Sequence, residues 1–226
     1  MPEMPSHFKV LFRNPVYGLV ARTVLLPWAL QGVRPAGRAL EVGCGTGAMA
    51  ARLLARFPDL ELVATDYDPE MVTTTQLALR TFGRRAQVQR ADAAQLPFED
   101  DRFDLVLAFA MFHHSGDWQR AVGEAIRVLR PGGRLVGYDI LEGAPLHGSR
   151  GRPPIHAGHG QHPHVSAAAH MHAEADAPGH SRMIGSAQQL EALLRSLPVS
   201  DVRVRRSAGG VAIRFQATRA VAPAPG

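Results

Sequence analysis

Leu40-Glu41-Val42-Gly43-Cys44-Gly45-Thr46-Gly47 decides the fold. An apolar run beginning at Ala39 passes directly into three glycines spaced two apart. Ala48 to Phe57 follows with helical apolar spacing. A strand, a glycine turn and a helix in that order form a loop whose backbone can approach a ligand closely. The spacing Gly43-x-Gly45-x-x-Ala48 by itself also suits a dinucleotide fingerprint with alanine in the third place.

Residues 38–139 repeat this alternation of short strands and longer helices, the pattern of a parallel sheet wrapped by helices. The strands are expected at Ala39–Val42, Glu61–Thr65, Gln87–Ala91, Phe103–Ala108 and Arg134–Asp139. Helices are expected at Ala48–Phe57, at Pro69–Phe82 with Asp68 as N-cap, and at Trp118–Leu129. Arg130-Pro131-Gly132-Gly133 reads as a turn. Residues 186–219 add a helix opened by Ser186 and an antiparallel hairpin around Ser207-Ala208-Gly209-Gly210. The fold class is therefore α/β, a Rossmann-like seven-stranded sheet, mostly parallel with an antiparallel last strand and helices on both faces.

Two flanking segments differ. Residues 1–35 are read as an N-terminal helical lid, with a helix from about Pro15 to Leu30 burying Val16, Leu19, Val20, Thr23, Val24 and Leu26. Residues 142–184 are rich in Gly, Pro, Ala and His, with little apolar periodicity, and read as a loop or lid. Eight of the 11 histidines fall there, from His147 to His180. Between His147 and His180 there is no cysteine and no HExxH pattern, and only Glu174 and Asp176 are acids, so the expectation is a polar lid without a metal. The whole chain, 1–226, is read as a single domain.

Composition removes several chemistries. All but Lys9 of the 25 basic residues are arginine, so Schiff-base chemistry, a P-loop lysine and a Tyr-x-x-x-Lys hydride-transfer pair lack their lysine. No Gly-x-Ser-x-Gly elbow is present. Cys44, the one cysteine, has no intrachain disulfide partner. The net charge of +5 comes with scattered arginines and 6% aromatic residues, a poor match to a nucleic-acid footprint. No basic-then-apolar leader is read at Met1–Pro5. Val16–Leu30, broken by Arg22 and Pro27, is too short to span a bilayer. The cytoplasm and no stable membrane insertion are the expectations, and the oligomeric state is left open, a homodimer included.

Three further positions give the glycine loop its meaning. Glu41 can meet a positive group at the strand end. Asp66 follows the second strand, where a carboxylate can take both hydroxyls of a ribose, and Asp92-Ala93 follows the third, where a carboxylate and an amide can read an adenine edge. With the turn Leu129–Gly133, these residues resemble the class I S-adenosylmethionine-dependent methyltransferases, in particular the small-molecule branch that includes ubiquinone/menaquinone-biosynthesis enzymes. The resemblance covers residues 38–139 well and 186–219 loosely.

That resemblance implies roles. Gly43, Gly45 and Gly47, with Cys44 and Thr46 between them, would cradle the methionine part of S-adenosylmethionine, and Glu41 would stand by its amino group. Asp66 would hold the ribose hydroxyls, with Tyr67 against the adenine. Asp92 would meet the adenine amino group and the Ala93 amide a ring nitrogen, and Phe109 would lie by the sulfonium. The implied activity is methyl transfer to a small-molecule acceptor by in-line displacement, with S-adenosylhomocysteine as product. Alternatives are a non-catalytic cofactor-binding protein and a nucleic-acid or lipid-like quinone acceptor.

His113 and His114 follow the fourth strand, where a histidine can orient or deprotonate an acceptor; an equally coherent reading makes the pair structural. Tyr17 and Arg13 lie in the segment expected over the cofactor, where either is read as touching the cofactor carboxylate or the acceptor, or as merely opening a helix. Asp139 ends the fifth strand and either faces the acceptor pocket or closes the strand.

Overall fold

The computed structural model describes Leu19, residues 21–142 and residues 183–221. Arg13, Tyr17 and the histidine-rich stretch from His147 to His180 lie outside the described residues.

Seven strands carry the architecture: β1 Gly37–Val42, β2 Leu60–Asp66, β3 Ala86–Arg90, β4 Phe103–Phe109, β5 Leu129–Ile140, β6 Val199–Arg206 and β7 Ala212–Arg219. They form one sheet in the order β3-β2-β1-β4-β5-β7-β6. β1 to β5 pair in parallel, and β7 enters antiparallel between β5 and β6. The order reverses direction between β1 and β4. In open α/β sheets the crevice at such a reversal, at the carboxyl ends of the strands, is where ligands bind.

Among the described residues, five α-helices accompany the sheet: α1 Leu26–Leu30, α2 Ala48–Arg56, α3 Pro69–Leu79, α4 Trp118–Arg127 and α5 Ala187–Ser196. Their starts follow from local chemistry. Asp68, Asp117 and Ser186 each accept a backbone N–H of the first turn, at 2.8, 3.0 and 3.1 Å. Strand residues alternate between two cores. Val106, Leu135 and Phe215 pack with α4 and α5, while Leu107, Val136 and Tyr138 pack with α1 and α2.

Three expectations need correction. The N-terminal helix does not bury the expected face: Leu19 and Val24 are 53% and 58% exposed, and Thr23 is also exposed. A π-type turn, Ala21–Leu25, precedes the short α1 and shifts the phase, so that of the expected face Leu26 is buried, and it meets the sheet together with Ala29 and Leu30. The second helix ends at Leu79, and 3₁₀ turns continue through Arg80–Arg85, where Gly83 has φ +56°. β5 begins at Leu129, five residues early. The Arg130–Gly133 turn survives as a bulge in it: Phe103 is level with Leu129, but Leu105, two residues on, is level with Arg134.

Candidate active site

The glycine loop leaves β1 at the sheet's reversal point. Gly43 and Cys44 both donate their N–H to the Thr65 carbonyl, at 2.8 and 2.9 Å. Gly43 has φ +71°, and a Cβ there would stand 2.5 Å from the Met111 Cβ. Gly47, with φ +76°, is the N-cap of α2, and no side chain caps that helix. The helix start is thus left to a ligand, and its dipole favours negative charge.

Two side chains grip the Gly45 peptide from opposite sides. Asp66 Oδ2 accepts its N–H at 2.8 Å, and the Thr75 hydroxyl donates to its carbonyl at 2.8 Å. Asp66 Oδ1 accepts from Asp68 N–H at 3.0 Å. The carboxylate therefore shapes the loop, and with about four acceptor sites on its two oxygens it keeps capacity for a hydroxyl. Sequence reasoning missed Thr75. Its signal was position: it falls on the buried stripe Met71, Val72, Thr75, Leu79, whereas Thr73 and Thr74 bond their own helix four residues back.

Glu41 is the site's most unusual group. It is 1% exposed, its Oε2 has no hydrogen-bond partner, and burial, reinforced by the nearby Asp66 charge, pushes its pKa up to about 8. Burial also raises the Asp66 carboxyl, and together with the charges of Glu41 and Asp66 it holds the Cys44 thiol well above its usual range. Cys44 is accordingly a buried inert thiol, not a nucleophile.

The other expected positions ring the same edge. Tyr67, half-buried, has the Arg90 guanidinium 4.9 Å from its ring centroid, and Arg90 Nε donates to its carbonyl at 2.9 Å. Asp92 accepts Ala94 N–H at 2.9 Å, and Ala93 is buried beside it. Phe109 lies against Tyr138 with centroids 5.9 Å apart, and the following Ala110 holds φ +51°. A non-glycine residue in that conformation marks a constrained turn at the strand end.

His113 and Asp139, both buried, meet at 2.5 Å between Nδ1 and Oδ1. Asp139 Oδ1 also accepts Ile140 N–H and its Oδ2 accepts Phe112 N–H, each at 2.7 Å. An ionised Asp139 fixes the tautomer with the proton on Nδ1 and the lone pair on Nε2. The His114 ring lies against that of His113, centroids 3.9 Å apart and planes tilted by 43°. Among the described residues, no group of three or more His, Cys, Asp or Glu could hold a metal.

Two of the scattered arginines are held within the fold. Arg85 donates to the carbonyls of Leu54, Phe57, Pro58 and Leu60, and Arg90 is held on Tyr67. Among the described residues no helix is long and apolar enough to cross a membrane.

Residues 40–137 match a family described as a methyltransferase domain. A solved structure of an S-adenosylmethionine-dependent methyltransferase from Aquifex aeolicus superposes with a TM-score of 0.66 at 17% identity, covering 96% of this chain and 100% of that one. The chain is thus similar to class I S-adenosylmethionine-dependent methyltransferases, by sequence over residues 40–137 and by fold over nearly its whole length, and the cofactor of those proteins is S-adenosylmethionine. Within that class it is similar to the demethylmenaquinone methyltransferase of Thermus thermophilus, 39% identical over 108 residues. That alignment covers 48% of this chain and 48% of the relative, so the chain spans about half the length of the curated relatives it matches. The fold also resembles the crystal structure of the [4+2]-cyclase SpnF, with TM-score 0.61 and 18% identity over 87% of this chain and 80% of that one.

The residues fit this cofactor. The unpartnered, buried Glu41 Oε2 suits an ammonium, the uncapped start of α2 suits a carboxylate, and among the described residues nothing but the adjoining chain lies within 4 Å of where a Gly45 Cβ would stand.

Proposed function

We propose that this chain transfers a methyl group to a small-molecule acceptor at the edge formed by the glycine loop, β2, β4 and β5. The observation that carries the reading is the buried Glu41 oxygen with no protein partner, at the strand ends where the sheet order reverses. When bound, S-adenosylmethionine supplies an activated methyl group for in-line displacement, leaving as S-adenosylhomocysteine.

The protein's own work is positioning. Glu41 holds the cofactor's amino group. Gly43, Gly45 and Gly47, with Cys44 and Thr46, admit its methionine part. Asp66 takes the ribose hydroxyls, Tyr67 and Asp92 with Ala93 receive the adenine, and Phe109 walls the reacting end. Thr75 is a positioning residue for the Gly45 peptide. Thr75→Val is expected to weaken S-adenosylhomocysteine binding several-fold in calorimetry, because one buried hydrogen bond is worth about 1 kcal/mol. Thr75→Ser, which keeps the hydroxyl, should restore most of it.

His113 is the proposed general base for an acceptor that must lose a proton, and Asp139 is its orienting partner. His114, lying against the ring, is the second candidate, and Tyr17 remains a proposal from sequence. His113→Asn is expected to lower kcat/KM by about 10²–10⁴ while S-adenosylhomocysteine affinity stays within twofold. Unchanged turnover on an acceptor that loses a proton would remove His113 from that role. Screening acceptors with radiolabelled S-adenosylmethionine tests the activity itself; a quinol is the first acceptor to try, given the demethylmenaquinone methyltransferase relative. We read residues 1–226 as one domain acting in the cytoplasm.

A further inference from the structure

Arg90 ends the edge strand β3 and is level with Asp66 at the end of β2. Directly paired residues share a sheet face, so its side chain leaves the sheet on the face from which Asp66 reaches the Gly45 peptide. A long basic side chain at an exposed position ordinarily keeps its charged head in water. Arg90 is exposed, yet it turns back onto the residue that follows Asp66. Its Nε donates to the Tyr67 carbonyl at 2.9 Å, and its guanidinium carbon stands 4.9 Å from the centroid of the Tyr67 ring. Among the described residues it forms no ion pair, although a carboxylate is level with it. Its charge is committed to the ring.

The two contacts act on different parts of Tyr67. The hydrogen bond fixes the backbone where the chain bends after β2. The cation fixes the ring, because the face of an aromatic ring is its negative part. A cation on one face leaves the opposite face for a second flat group. Tyr67 is half-buried, and among the described residues no other ring or cation lies against it. A free tyrosine at a bend would have to be ordered when a base stacked on it; a ring already held needs less ordering.

We propose that Arg90 is a positioning residue for adenine recognition. It holds the Tyr67 ring from one face so that the adenine stacks on the other, giving three layers of guanidinium, ring and base. Arg90 acts through the ring and not through its charge at large. The inference rests on the reading that Tyr67 receives the adenine.

A double-mutant cycle on the full chain tests this, with calorimetry reading the dissociation constants of S-adenosylhomocysteine and of adenosine. Arg90→Met keeps an apolar stem and removes the cation. It should weaken both ligands by the same factor, about two- to fivefold, the size of a cation–π contact at an exposed site. Tyr67→Leu should weaken both by about tenfold or more, as the loss of a stacking aromatic does. In the Tyr67→Leu background, Arg90→Met should change neither. The carbonyl of residue 67 is still present there, so a loss that survives belongs to the hydrogen bond or to the net charge and overturns the proposal. Wild-type affinity of Arg90→Met for both ligands overturns it too, as does a loss confined to S-adenosylhomocysteine. Tyr67→Met is the substitute background should Tyr67→Leu not fold. Unchanged affinity of the Tyr67 variant itself would instead overturn the placement of the adenine, and absence of S-adenosylhomocysteine binding to the wild type would overturn the reading of the edge.

Discussion

Gly43→Ala is expected to lower S-adenosylhomocysteine affinity by at least about a hundredfold. Two effects add. The backbone at this position has φ +71°, where an L side chain costs roughly 1–2 kcal/mol. The new methyl group would stand 2.5 Å from Met111 Cβ and 3.1 Å from its Cγ. Met111 is 3% exposed and directly precedes the turn that carries His113, so its Cβ cannot retreat without moving that turn. The loop must give way instead, and with it the peptides of Gly43 and Gly45 that frame the site. Calorimetric titration measures the loss, and a thermal melt separates it from unfolding. Gly209→Ala, with nothing within 4 Å of the added carbon, is the control and should bind as the wild type does. Affinity of Gly43→Ala within threefold of the wild type would contradict the assigned loop geometry.

Cofactor binding is expected to release close to one proton near pH 7. Glu41 in the free protein titrates at about 8, because burial and then the Asp66 charge disfavour its ionised form. An ammonium held at its unpartnered oxygen favours ionisation. Between pH 6 and 7.5, affinity should therefore rise with pH, by up to about tenfold per unit. Calorimetry in buffers of different ionisation enthalpy counts the proton directly, and Glu41→Gln should abolish both the release and the slope. Stability of the free protein should run the opposite way. Glu41 is raised above its unfolded value of 4.5, so the native state holds the proton longer. Its contribution is complete below pH 4.5 and is lost as pH rises through about 8. Bound cofactor should cancel that loss. No net proton release at pH 7 would show that Glu41 does not receive the ammonium.

Why some of this was legible in sequence and some not has a physical answer. Apart from the alternating β3, each strand of residues 38–139 has a short apolar run punctuated by glycine, proline or a cap, and those signals are local. Asp68 and Ser186 cap their helices as read because an Asx or Ser cap needs only the next two or three residues. The N-terminal segment failed because its apolar residues fit a regular helix, while the π-type turn over Ala21–Leu25 rotates the register. Leu19 and Val24 are then turned outward. The β5 bulge was legible as a turn but not as part of a strand, since only pairing to Phe103 makes Leu129 extended sheet.

The candidate site divides along the same line. Glu41, the glycines, Asp66 and Asp92 sit at strand ends, where fold and position go together. The sequence left His113 and Asp139 each with two readings, and they are 26 residues apart; only the parallel pairing of β4 with β5 brings their side chains together. Thr75 was hidden in a run of three threonines, of which it alone turns towards the loop rather than its own helix. The contact of Arg90 with Tyr67 likewise needs β2 and β3 in register, which composition and periodicity do not encode.

Equilibrium dialysis of tritium-labelled S-adenosylmethionine against the full chain tests the central claim most directly. One equivalent should be retained per chain, displaced by S-adenosylhomocysteine and not by NAD or ATP at the same concentration. No retention, or displacement by NAD as effective as by S-adenosylhomocysteine, would contradict a site built around the buried Glu41 and the Gly43–Gly47 loop.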